Sequence, residues 1–196
     1  MIAEDGTPRL ADFGLARGHY ERTLEPGKML NHPTRMAWGY DGLSWVASKY
    51  NDHANHKKYL FTALSYFQEI GQRGDVAREY GNVVHPVVRL GEYAEAMRYT
   101  REGMLISQQV NNVEYIVKAL VGYADALNHT GQADRAVELL TLAANHPALL
   151  ADVAPFVEIY LQEAALAPGI FEAAQARGKT LDLESTVSAI LRQAQE

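Results

Sequence analysis

Residues 91–104 read GEYAEAMRYTREGM, and residues 131–144, forty positions on, read GQADRAVELLTLAA. Each stretch opens on Gly, carries Ala five places later (Ala96, Ala136) and continues as an amphipathic helix. Steps of 40 toward the N-terminus reach NDHANHKKYLFTAL at Asn51 and ADFGLARGHYERTL at Ala11. The small position is then His56 and Ala16, and the apolar residues Leu24, Leu64 and Met104 fall in register. Internal periodicity of this kind decides the fold before any local propensity does.

The segments between these starts repeat as well. Met36, Val76, Ile116 and Phe156 are in register, followed by Tyr40, Tyr80, Leu120 and Tyr160. Leu43, Val83 and Tyr123 come next, then Ala47, Val87 and Leu127. Spacings of four, three and four describe one face of a 3.6-period helix. Each unit therefore reads as a helical hairpin, with its tight turn at Asn51, Gly91 or Gly131. Gly suits that turn because it accepts the left-handed backbone that ends a helix. The expected fold is all-α: a right-handed superhelix of about four antiparallel hairpins with a helical cap, forming one domain.

The expected hairpins run about 11–31, 32–72, 73–112, 113–146 and 147–178, behind an N-terminal extension at 1–10. The extension is too short and polar to supply a first helix for the first unit. Pro33, Pro147 and Pro168 mark joints, whereas Pro86 falls inside a first helix and is expected to kink or split it. A first helix is expected over 149–166. A small helix near 170–177 and a last one over 183–195 depart from the period, as a capping element should. Asp182 or Thr180 would cap that last helix, with Val187, Ile190 and Leu191 on its buried stripe.

Glu92-Tyr93 after Gly91, with Ala96 and Gly103-Met104, resembles the tetratricopeptide repeat. The first-helix positions Tyr40, Tyr80 and Leu120 match the large apolar residue of that family. Ser44, Val84 and Ala124 stand less closely for its small one. The resemblance covers about 11–147, with a period of 40 where the family's is about 34. Long variants of this kind look like the helical C-terminal regions of bacterial signal-transducing ATPases and transcription regulators. The tail Phe171-Glu172-Ala173-Ala174, Arg177-Gly178 and Leu183-Glu184 is similar to the ending of that group. The resemblance implies a sensor or scaffold module without ATPase or DNA-binding parts. HEAT-like hairpins, which share the period, are the second architectural choice.

Composition narrows the functional classes. The 196 residues include no Cys, 18 Lys plus Arg and 24 Asp plus Glu, for a net charge of −6. No Cys means no disulfide framework and no thiolate zinc site, and fits a reducing, cytoplasmic setting. The acidic balance argues against a general nucleic-acid binder. Neither a secretory leader nor an apolar run of membrane-spanning length is present, so no membrane partner is expected. Residues 3–17, AEDGTPRLADFGLAR, look like the part of a protein kinase that ends in its metal-binding Asp-Phe-Gly. That chemistry needs a Gly-rich loop, a strand Lys and a catalytic loop upstream, and only eleven residues precede Asp12. Asp12-Phe13 is better read as opening a helix, equivalent to Glu92-Tyr93.

No catalytic, cofactor or metal set is expected. His53 and His56 share a helical face, but two imidazoles with no third ligand fit a solvated helix start better than a site. No P-loop or GxGxxG occurs. The candidate functional surface is instead the set of inward positions left on the first helices. These are Trp38, Arg78 and Lys118; Trp45, His85 and Asp125; Lys49, Arg89 and His129; with Asp41 and Asn82 close by. Trp and Arg are enriched at binding hot spots, and paired cations suit an acidic peptide. The expectation is a non-enzymatic module of a bacterial regulatory system that binds a peptide or protein partner, of acidic character, in this groove. The alternatives are a small-molecule sensor relaying to a separate effector, and a self-assembling fragment. In the latter, Leu15, Tyr20 and Leu24 of the N-terminal unit would meet a second copy.

Overall fold

The computed structural model describes residues 10–193, with side chains from residue 13 onward. Residues 1–9 of the expected extension, and with them 3–9 of the kinase-like stretch, lie outside the described residues, whereas 10–17 belong to the first helix. Ten α-helices, and no strand, occur among them. They are α1 (Leu10–Met29), α2 (Pro33–Lys49), α3 (His53–Glu69), α4 (Arg73–Arg89), α5 (Tyr93–Gln109), α6 (Val113–Asn128), α7 (Ala133–Ala144), α8 (Ala154–Glu163), α9 (Pro168–Gly178) and α10 (Leu183–Arg192). The all-α hairpin fold is thereby established. The chain divides into two compact units, Met1–Glu79 and Tyr80–Glu196, with the division falling inside α4.

Successive helices are joined by one device. The residues with positive φ are Asn31, Asn51, Gly71, Gly91, Asn111 and Gly131, each twenty positions after the last. At Gly91 the N–H donates to the Val88 carbonyl at 2.9 Å, and the Glu92 N–H to the Val87 carbonyl at 3.1 Å. This pair of bonds is the Schellman arrangement, which satisfies carbonyls a helix end would otherwise orphan. The same two bonds recur around Asn31, Asn51, Gly71 and Asn111. Immediately afterwards residues 32, 52, 72, 92, 112 and 132 accept the first turn of the next helix through their own carbonyls. The 40-residue repeat is thus two helix-plus-turn units of twenty. The turns expected at 51, 91 and 131 are present, and the joints between hairpins use the same chemistry.

A Cβ on Gly91 would meet nothing within 4 Å, so only its φ of +80° constrains the residue. Gly91→Ala should therefore cost about 1–2 kcal/mol from the left-handed backbone alone. Gly91→Asn should cost less, as Asn is tolerated at the neighbouring joints. Urea midpoints of the two variants measure the difference.

In the first unit α2 lies between α1 and α3, which both pack on it. Leu24, Met36 and Leu43 form a buried cluster with Tyr20, Tyr40, Tyr59 and Tyr66 against it. Two glycines of α2 let α1 approach: a Cβ on Gly39 would sit 2.5 Å from Leu24 Cδ2. One on Gly42 would sit 2.2 Å from the Tyr20 ring. Of the α1 residues expected to face a second copy, Leu24 is buried and Tyr20 half-buried against α2. Leu15 remains 73% exposed.

In the second unit α5, α6, α7, α8 and α10 enclose the largest cluster of buried side chains. It includes Met104, Val117, Leu120, Leu127, Leu139, Leu140, Val187 and Ile190. The stripes Leu43, Val83, Tyr123 and Ala47, Val87, Leu127 are buried as expected.

Three local expectations need correction. Pro86 does not split α4, which continues to Arg89; so close to the helix end the ring removes a single ladder bond. The helix expected over 149–166 is confined to Ala154–Glu163, because Pro155 sets its first turn and residues 149–153 are not helical. Phe156 is consequently exposed, and α8 buries Val157 and Tyr160 instead, with Val153 buried at its N-cap. The cap follows expectation, with the Asp182 carboxylate accepting from the Ser185 N–H at 2.8 Å. No helix of the described chain is long and apolar enough to cross a membrane.

Candidate functional site

Packing on both flanks leaves α2 a single open stripe. Its exposed residues are Arg35, Trp38, Trp45 and Lys49, at helical spacings of three, seven and four. Trp38 and Trp45 are 44% and 46% exposed, although they are the largest side chains on the helix. Each indole is buttressed rather than loose. The Arg78 guanidinium lies 5.1 Å from the Trp38 ring centre, and Phe67 meets that ring edge-on at 5.1 Å. Lys49 Nζ sits 5.3 Å over Trp45, and Phe13 meets Trp45 edge-on at 5.7 Å. Cation–π and edge contacts of this kind hold a ring in one orientation at modest energy.

Arg78 is tied down from three sides. Its nitrogens lie 2.8 Å from the Glu79 carboxylate, 3.4 Å from Asp41 and 3.4 Å from Asp75. Burial works against its charge, but Glu79, Asp41 and Asp75 outweigh that and hold the guanidinium above its ordinary range. Arg78 is therefore a neutralised support for Trp38. Lys49, by contrast, has no carboxylate partner among the described residues, and its ammonium is open to one.

The other sequence-predicted residues lie in the second unit, on the far half of α4 and on α6. Lys118 Nζ donates to Asn82 Oδ1 at 2.6 Å. His85 Nδ1 is 3.0 Å from the Tyr160 hydroxyl. Arg89 donates to both Glu163 oxygens at 3.2 Å and to Asp125 Oδ1 at 3.3 Å, with its guanidinium 5.5 Å from the Tyr160 ring centre. His129 Nε2 is 3.5 Å from Asp125 Oδ1. The surface cations of this row are thus paired with polar groups, and Asp125 is fully buried rather than groove-lining.

Burial pushes the Asp125 carboxyl up to about 6, against the opposing pull of Arg89 and His129. A carboxyl raised in the folded state stabilises the fold below its unfolded value. That contribution is lost as pH rises through about 6. Wild type should therefore lose stability relative to Asp125→Asn between pH 4 and pH 7, by an amount on the order of a few kcal/mol. Urea unfolding of both proteins at the two pH values, in the presence of chelator, measures it. A gap that stays constant with pH would contradict the assignment.

Asp75, Glu79, Tyr160 and Glu163 were missed as members of these networks. Glu163 could have been noticed, since it places a charge in the register of Leu43, Val83 and Tyr123. His56 is buried and fills the small-residue slot of Ala96 and Ala136, beside the N-cap formed by Asp52.

No protein-family model and no curated protein matches this chain. What it binds must be argued from the surface itself. Two indentations in the second unit have volumes of about 210 and 220 Å³. The first lies between α6, α7 and α10, and the second beside α9 and α10. Both are smaller than the roughly 300–1,000 Å³ of a typical small-molecule site. The half-exposed tryptophans of α2 are therefore the better-built feature.

Proposed function

We propose that the chain is a non-enzymatic interaction module of the tetratricopeptide-repeat type. In this reading it serves as a scaffold or sensor part of a bacterial regulatory system and docks a peptide or protein partner on the stripe of α2. The observation that carries this reading is the pair Trp38 and Trp45. Both are close to half-exposed on a helix packed on both flanks, and both are held rigid by aromatic and cationic neighbours. Pre-oriented aromatic side chains lose little entropy on binding, and Trp is the residue most enriched at hot spots. Seven helical residues place the two indoles about 10 Å apart along the axis. That span matches apolar side chains three residues apart in a polyproline II segment, where they share one face.

The acidic character of the partner rests on Lys49 and Arg35 at the ends of the stripe, since Arg78 and Arg89 are already neutralised within the chain. A random-peptide display library selected on the wild-type protein tests the reading. Enriched peptides should carry two apolar residues flanked by Asp or Glu. Trp38→Ala/Trp45→Ala should weaken them at least about 100-fold, the sum expected of two moderate hot spots. Lys49→Glu should weaken them less and remove the preference for acid. Peptides that bind the double variant within threefold of wild type would contradict the proposal.

A further inference from the structure

We propose that Asp125, His129 and Glu163 form a binding site for a divalent transition ion of the zinc class, which takes the place that the Arg89 guanidinium holds between the two carboxylates. The three residues each offer a ligand atom, and these atoms all lie within 4.8 Å of one another. Asp125 on α6 and His129 at its C-cap are one helical turn apart, so their side chains rise from the same face, and Glu163 closes the site from the last turn of α8. His129 Nε2 and Asp125 Oδ1 are 3.5 Å apart. Two ligands on a tetrahedral ion with bonds of about 2.1 Å stand about 3.4 Å apart.

A second, independent observation points to an unmet need. Asp125 is fully buried, yet its Oδ2 has no hydrogen-bond partner among the described residues. A buried carboxylate oxygen is costly to leave unpaired. Two carboxylates share one guanidinium here, so the cluster carries one negative charge in excess, which a divalent ion neutralises and Arg89 alone does not. The imidazole selects a transition ion over magnesium or calcium, which prefer oxygen ligands. His129 is stacked on Tyr93 at 5.2 Å and 10°, which fixes the ring plane without occupying either nitrogen. His129 and Glu163 are about one-third exposed, so an ion can enter and water can complete its coordination. The Arg89 side chain is 24% exposed, so the displaced guanidinium can turn to solvent. The partner surface on α2 shares none of these residues, so the two proposals stand or fall separately.

The test is a calorimetric titration of Zn²⁺ into the full, metal-stripped chain, repeated with Co²⁺ followed by its visible absorption. One equivalent should bind with micromolar affinity, and Co²⁺ should show the intense bands of a four- or five-coordinate site. His129→Ala and Glu163→Gln, both at partly exposed positions, should each weaken binding at least tenfold while leaving the far-UV spectrum unchanged. His53→Ala should leave binding unchanged. The inference is overturned if wild type binds no Zn²⁺ below millimolar concentration. It is equally overturned if His53→Ala weakens binding while His129→Ala does not.

Discussion

Replacing Arg89 by Met should lower the unfolding free energy by about 3–5 kcal/mol, the cost of leaving a buried charge without its partner. Methionine keeps most of the apolar stem that lies on the Tyr160 ring, so the loss reports the charge rather than the packing. Glu163 is about one-third exposed and can turn to solvent, which leaves Asp125, fully buried, to bear the loss. Asp125 is 3.3 Å from the guanidinium, and its only other ionisable neighbour at ion-pairing distance among the described residues is His129 at 3.5 Å. Adding Asp125→Asn to Arg89→Met should recover much of the stability, because a neutral amide needs no counterion. Urea unfolding of the two variants gives the answer. A single-variant loss below about 1 kcal/mol would mean that water reaches Asp125 and that the network is a surface one.

The second large effect concerns Gly178, the last residue of α9. Helix propensity alone predicts that Gly to Ala in a helix gains about 1 kcal/mol. Packing reverses the sign here. A Cβ on Gly178 would lie 2.5 Å from the Glu138 carbonyl oxygen and 2.7 Å from Thr141 Cβ, both on α7. The first of these is backbone and cannot rotate away, so α7 and α9 must separate. Separation also strains the Arg177–Glu138 ion pair and the buried contact of Val137 with Ala174 and Ala164. Gly178→Ala should cost about 1–3 kcal/mol, and Gly178→Val more. Gly169, in the same helix, meets nothing within 4 Å of an added Cβ. Gly169→Ala should be neutral or stabilising by up to about 1 kcal/mol. Thermal unfolding of the two alanine variants should therefore move in opposite directions, and a shared direction would show that propensity governs both sites.

The helical-hairpin fold was legible because each repeat states its turn and its buried stripe in the same register. Gly91 and Gly131 show the left-handed joint, and Leu43, Val83 and Tyr123 show the core face. The twenty-residue spacing was also present in Asn31, Gly71 and Asn111, but these joints lack the flanking similarity that draws attention to Gly91. Legibility failed where the period broke. Pro147 and Pro155 shorten the helices on either side, and a one-residue slip carries Phe156 to the surface and Val157 to the core. On the candidate surface, register alone placed Trp38, Trp45 and Lys49 on one open stripe. It could not show that Arg78 and Arg89 are neutralised. Their carboxylate partners sit as close as Asp75 and Glu79 and as far along the chain as Glu163, and such pairings depend on helix packing rather than on periodicity.

The proposal that α2 is the docking surface has a direct reporter in the chain, because Trp38 and Trp45 are its only two tryptophans. Their indole N–H groups give two resolved signals in a ¹H–¹⁵N NMR spectrum, each assignable from a single Trp→Phe variant. Titration with a display-selected peptide should shift both signals, in step with the backbone amides of Arg35 and Lys49. Backbone shifts elsewhere with both indole signals unmoved would contradict it.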